Sequence, residues 1–238
     1  MTIKKGYFSV VTADGTSMQV YCAEPLNPGR PLPGLLVFQE AFGVNGHIRD
    51  VVHRFAEHGY IALAPELFHR TAAAGFEGSY ADFTLVAPHL QALTEEGMEA
   101  DIRAAWNWLA QHTHLQQGHI GCIGYCMGGR VSFLTNAILP VKAAVSYYGG
   151  RIAPDLIKRA PDLHAAMLFF WGGLDKHIPQ EQIQMITSGL NAAKKAYVNI
   201  ELSDADHGFF CDERPSYNKH AANEAWALTL AFLKDKLA

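Results

Sequence analysis

The sequence predicts an α/β protein whose central sheet is mostly parallel, flanked by helices and opened by an N-terminal β-hairpin. Three observations predict it. Short, continuous apolar runs alternate along the chain with stretches of helical periodicity, the pattern of strands buried on both faces and joined by helices. The residues with reactive side chains fall in the segments just after those runs, where open α/β sheets carry their sites. The chain has 238 residues, 49% of them hydrophobic, which suits a single domain over 1–238 with a buried core.

The elements follow in order. Tyr7–Val11 and Met18–Ala23 flank Asp14-Gly15, a turn signal, and predict the hairpin. A Pro/Gly loop over 25–33 leads to Leu35–Phe38, a buried strand. A helix is expected from about Ile48 to His58, closed by Gly59, and Tyr60–Leu63 is the next strand. Residues 66–94 are irregular and rich in aromatics, the character of a pocket wall or lid. Thr94 is the expected N-cap of a helix whose first turn carries Glu95 and Glu96 and whose apolar stripe is Met98, Ile102, Trp106 and Leu109. His119–Ile123, Val141–Tyr147, Met167–Trp171 and Tyr197–Leu202 read as strands; Val131–Ala137, Gln180–Ala193 and Ala221–Leu237 read as helices.

Composition narrows the function. Net charge is −4 with both signs scattered, so there is no basic stripe for nucleic acid. No apolar run reaches the ~18 residues of a membrane span, and the first residues lack the apolar centre of a secretory signal. Four cysteines in a chain of this length do not make a disulfide framework. The expectation is a cytoplasmic protein acting on a small molecule, as a monomer or small homo-oligomer, with no nucleic-acid or membrane partner. The twelve histidines show no zinc spacing, and His112 and His114 read as partners of a helix C-terminus. No metal and no cofactor are expected.

The chemistry centres on Gly124-Tyr-Cys126-Met-Gly128-Gly129, between an apolar strand and a helix. This is a nucleophile elbow with cysteine in the place of serine. So tight a turn holds the nucleophile in a strained conformation, and Gly124 and Gly128 remove Cβ clashes beside it. The thiol then sits at a helix N-terminus, which favours thiolate, and the Met127 amide can donate to an oxyanion. A packed thiol in a Gly turn would look similar. Context raises the signal: Asp175 follows the Met167–Trp171 strand and His207 follows Tyr197–Leu202, in the chain order such a triad requires. Asp204 and Asp206 are rival acids on the histidine's own loop.

Gln39-Glu40-Ala-Phe-Gly-Val-Asn45, the cysteine elbow, Tyr148-Gly-Gly150, Gly173-Leu-Asp175 and His207-Gly-Phe-Phe210 together resemble the dienelactone hydrolase family, the carboxymethylenebutenolidases of the α/β-hydrolase superfamily. The likeness covers nearly the whole chain. It implies the α/β-hydrolase fold and hydrolysis of an enol lactone through a cysteinyl thioester. It also implies that Glu40 contacts the resting thiol and takes its proton when substrate arrives, and that the Ala41 amide is the second oxyanion donor. Family members pair a substrate carboxylate with arginines, one shortly after the histidine. In this chain Cys211 is nearer and Arg214 lies farther on; Arg214, Arg70 and Tyr148 are the candidate substrate-binding residues. Alternatives are a carboxylesterase or thioesterase on another small substrate, a ligand-binding relative without catalysis, and a peroxide-sensing thiol, for which no C-x-x-C motif speaks.

Overall fold

The computed structural model describes residues 2–237. They fall into two compact units that divide between residues 120 and 121, inside a continuous strand.

The first unit begins with β1 (Ile3–Val11) and β2 (Ser17–Pro25), paired antiparallel from Val11 opposite Ser17 to Ile3 opposite Pro25. The hairpin forms as predicted, with longer strands and a wider turn: residues 12–16 close through the Thr12 amide on the Thr16 carbonyl at 2.9 Å, while Gly15 supplies the positive φ of 82°. β3 (Leu32–Phe38) pairs parallel with β4 (Ile61–Pro65), and β2 pairs antiparallel with β4, giving the order β1-β2-β4-β3.

Between β3 and β4 lies α1 (Gly46–Glu57). It begins two residues before the predicted start because the Asn45 side chain caps it, accepting from the Ile48 amide at 3.2 Å. Gly59, with φ 86°, turns the chain off its end. α2 (Ala87–Gln91) is a short helix inside the stretch expected to be irregular. α3 (Glu95–Ala110) starts at the predicted cap, the Thr94 hydroxyl accepting from the Gly97 amide at 3.0 Å. Its buried face carries Met98, Ile102, Ala105 and Leu109; Trp106 is half-buried, and the smaller Ala105 takes the inward position expected of it.

The 66–94 segment is held by aromatic packing. Phe76, Tyr80, Val86 and Leu90 gather on Ala41 and Phe42, the Gly78 amide donates to the Phe42 carbonyl at 2.9 Å, and the Asn45 amide group donates to the Tyr80 hydroxyl at 2.7 Å. It therefore walls the loop that follows β3.

β5 (Leu115–Tyr125) continues from the first unit into the second. α4 (Met127–Ile138), β6 (Ala144–Tyr147), β7 (Met167–Gly172), α5 (Gln180–Ala192), β8 (Tyr197–Leu202) and α6 (Lys219–Leu237) complete the chain. β5, β6, β7 and β8 lie side by side in that order, all parallel, with Tyr125 opposite Tyr147, Tyr147 opposite Phe170 and Gly172 opposite Leu202. β6 and β7 are wholly buried, which explains their unbroken apolar sequences. In a parallel set every carboxyl end points the same way, so the loops after β5, β7 and β8 can meet on one edge.

Candidate active site

Cys126 lies between β5 and α4 with φ 53° and ψ −118°, a conformation a β-carbon strains to adopt. A Cβ on Gly124 would overlap the Gly128 carbonyl oxygen. The packing also demands Gly129, whose Cβ would come within 2.6 Å of the Ser146 hydroxyl and 2.8 Å of the Gly149 Cα. Gly128 thus contributes the carbonyl that Gly124 must clear, and Gly129 lets α4 press onto the end of β6. The turn is pinned by the Cys126 amide on the Tyr147 carbonyl at 3.0 Å. Met127 is the first residue of α4, so its amide has no earlier turn of helix to donate to.

The loops after β7 and β8 touch through a second pair of glycines. A Cβ on Gly172 would lie 2.6 Å from the Ala205 carbonyl oxygen, and one on Gly173 would lie 2.7 Å from the Ser203 Cα. The Gly173 amide donates to the Leu202 carbonyl at 2.8 Å and the Leu174 amide to the Ala205 carbonyl at 2.9 Å. This close approach sets Asp175 against His207: Oδ2 to Nδ1 is 2.7 Å, and the other carboxylate oxygen accepts from the His177 amide at 2.7 Å. On its far side His207 presents Nε2 to the Cys126 Sγ at 3.1 Å. The rival acids are occupied locally, Asp206 by the His207 amide and Asp204 by Asn218.

The surroundings of His207 favour its protonated form. Burial opposes charge on His207, but the sulfur of Cys126 and the hydrogen-bonded Asp175 outweigh it and push its pKa up to about 10. Burial likewise opposes charge on Asp175, yet the hydrogen bond from His207 holds its carboxyl below the usual value. The other thiols differ: Cys22, Cys122 and Cys211 are buried, and burial pushes Cys22 and Cys122 up to about 12. Cys126 is partly exposed.

The other candidate residues divide. Tyr148 is fully buried with φ 38°, its ring 5.1 Å from that of His207. Arg214 folds back over Gly208, next to the histidine, so closely that a Cβ there would lie 2.5 Å from the guanidinium carbon. Glu40 and Ala41 are buried in the loop after β3, where the Gln39 side chain bridges to the Leu67 amide at 3.1 Å. Arg70 is committed to the protein's own carboxylates: Nη1 and Nη2 grip Asp101 at 2.9 and 2.8 Å, and Nε meets Asp14 at 2.7 Å. One neighbour escaped the sequence reading. His177 brings its ring to 5.2 Å from that of His207, edge to face. Its place two residues after Asp175 is the only trace of this in the sequence.

Residues 18–237 match the profile of the dienelactone hydrolase family. The chain belongs to that family. A candidate carboxymethylenebutenolidase of Escherichia coli O157:H7 is 35% identical over 239 residues, covering 95% of this chain and 86% of the relative. The carboxymethylenebutenolidase of Pseudomonas putida is 31% identical over 236 residues, covering 94% of each. A crystal structure from Klebsiella pneumoniae subsp. pneumoniae, described as a candidate dienelactone hydrolase, superposes with a TM-score of 0.88 at 32% identity, covering 98% of this chain and 99% of that one. This dienelactone hydrolase family member has the α/β-hydrolase fold and is a carboxylic ester hydrolase.

Proposed function

We propose that the chain hydrolyses a cyclic enol lactone or a small ester through a Cys126–His207–Asp175 triad and a cysteinyl thioester, within a single α/β-hydrolase domain. The observation that carries this reading is the unbroken relay from Sγ to Nε2 at 3.1 Å and from Nδ1 to Asp175 at 2.7 Å. Sγ attacks the carbonyl carbon, and the Met127 amide stabilises the oxygen that gains charge. The carbon–oxygen bond breaks as Nε2 gives its proton to the leaving oxygen. His207 then takes a proton from water, the hydroxide attacks the thioester, and the carbon–sulfur bond breaks to restore the sulfur anion. Asp175 holds the ring in the tautomer this requires. Because this cycle starts from and returns to the sulfur anion, it leaves Glu40, buried just after β3, no thiol proton to take; the resemblance implies for Ala41 beside it the role of second oxyanion donor.

Arg214 is the proposed partner of a substrate carboxylate. With Arg70 gripped by Asp101 and Asp14, the paired-arginine arrangement that the resemblance implied is incomplete. That favours, as a second reading, a small ester carrying one anionic group or none. Assaying a dienelactone, aryl esters and thioesters with the wild type and Cys126→Ala tests both. The triad reading expects turnover of at least one class, abolished in the variant; retention of more than a few per cent of the rate would remove Cys126 as nucleophile.

A further inference from the structure

We propose that Glu24, His112 and His114 form a binding site for a divalent transition-metal ion, with Zn²⁺ the chemistry they fit. None of the three belongs to the triad. Glu24 closes β2 with its side chain 4% exposed, and a carboxylate so buried needs a cation or several donors. Two imidazoles supply them. His114 Nδ1 lies 3.0 Å from one carboxylate oxygen and His112 Nε2 lies 3.5 Å from the other. One ligand atom from each of the three residues falls within 4.8 Å of the others.

Zinc bonds to nitrogen and oxygen of ~2.0–2.1 Å in a tetrahedron imply ligand-to-ligand edges of about 3.3 Å. The two contacts go to different carboxylate oxygens, and one ligand atom from each residue lies within 4.8 Å of the others, so turning the Glu24 carboxylate and drawing the two rings together brings one oxygen and two nitrogens to that spacing. The backbone beneath the histidines is fixed, the Leu32 amide donating to the His114 carbonyl at 2.8 Å and the Leu115 amide to the His112 carbonyl at 3.0 Å. The His112 ring is steadied against Trp108 at 5.5 Å. The His114 side chain is 42% exposed, which gives the ion an entry path and leaves a coordination position to water.

Two features must change when metal binds. Lys4 Nζ stands 3.5 Å from Glu24, but its side chain is 58% exposed and can rotate into solvent. The His114 amide approaches His112 Nδ1 at 3.4 Å, which places the His112 proton on Nε2. Binding through Nε2 moves that proton to Nδ1 and releases this long contact. At His114 the proton moves from Nδ1 to Nε2. Each ring thus binds as a neutral imidazole, and the reading of His112 and His114 as partners of a helix end gives way to their shared carboxylate, about 90 residues earlier in the chain.

The test is titration calorimetry with Zn²⁺ at pH 7.5 on Cys126→Ala, which removes the catalytic thiol as a competing ligand, and on Cys126→Ala carrying His112→Ala and His114→Ala. The proposal expects one equivalent of Zn²⁺ to be lost, or bound at least about tenfold more weakly, when the histidines go. It also expects a Zn²⁺-dependent rise in melting temperature only where they are present. Should the double replacement fail to fold, His114→Ala alone, at a half-exposed side chain, gives the same comparison. Equal Zn²⁺ binding with and without the histidines, or no binding to either protein, overturns the site. Ester hydrolysis by His112→Ala/His114→Ala in the chain that keeps Cys126 should match the wild type, so loss of the metal site and loss of the triad read out separately.

Discussion

The charge environment of His207 decides how firmly it holds its proton. His207 is raised to about 10 by the sulfur and by Asp175, so the native ring keeps a proton that an unfolded chain releases near pH 6.5. Its contribution to stability is complete below about pH 6.5 and declines as pH rises toward 10. Thermal melts across that range should show a falling midpoint in the wild type and a shallower fall in His207→Gln. Asp175→Asn removes one of the groups that raise the ring. The alkaline limb of kcat/KM should then shift to lower pH and kcat should fall roughly 10³–10⁴-fold, the loss expected when a triad histidine loses its orienting acid; an unshifted limb would show that Asp175 does not tune His207. Arg214 acts at the same scale. Its replacement by alanine should raise KM roughly tenfold or more for an anionic lactone, the value of a charge-assisted contact, and leave a neutral aryl ester unchanged.

At the level of elements, glycine governs how closely neighbours approach. Gly124→Ala sets a methyl group into the Gly128 carbonyl, so β5 and α4 cannot both keep their places. The expected outcome is insoluble or unfolded protein, checked by expression and circular dichroism. Asn136 on α4 acts as a clamp, its side chain donating to the Ala165 carbonyl at 2.9 Å and accepting from the His164 and Ala165 amides at 3.1 and 2.9 Å. Asn136→Ala removes three half-buried hydrogen bonds ahead of β7 and should destabilise the protein by about 1–3 kcal/mol in urea unfolding. Such elements were legible in the sequence where their signals are local. Thr94 capped α3, Gly59 ended α1 and the apolar runs became strands. Trp106 departed from its predicted inward position because Ala105 fits the tight face of α3, and α2 was missed because five residues carry too little periodicity to read.

For the whole molecule, the division between units falls inside β5, with no linker. Neither half can end there without cutting a strand. We therefore expect one unfolding transition, with far-ultraviolet circular dichroism and tryptophan fluorescence coinciding; two separated transitions would mean independent domains. Among the described residues no helix is long and apolar enough to cross a membrane.

The sequence by itself determined the order of strands and helices, the strained cysteine turn and the chain order Cys126, Asp175, His207. All of these rest on local chemistry: apolar periodicity, capping side chains, and glycines where no Cβ fits. Only the tertiary structure decided which groups these side chains meet. It gave Arg70 to Asp101 and Asp14, set His177 beside His207, folded Arg214 over Gly208 and joined His112 and His114 to Glu24. The physical reason is that a charged side chain takes whichever partner the packed backbone brings within about 3 Å. That proximity belongs to the assembled sheet and its helices, and no spacing along the chain records it.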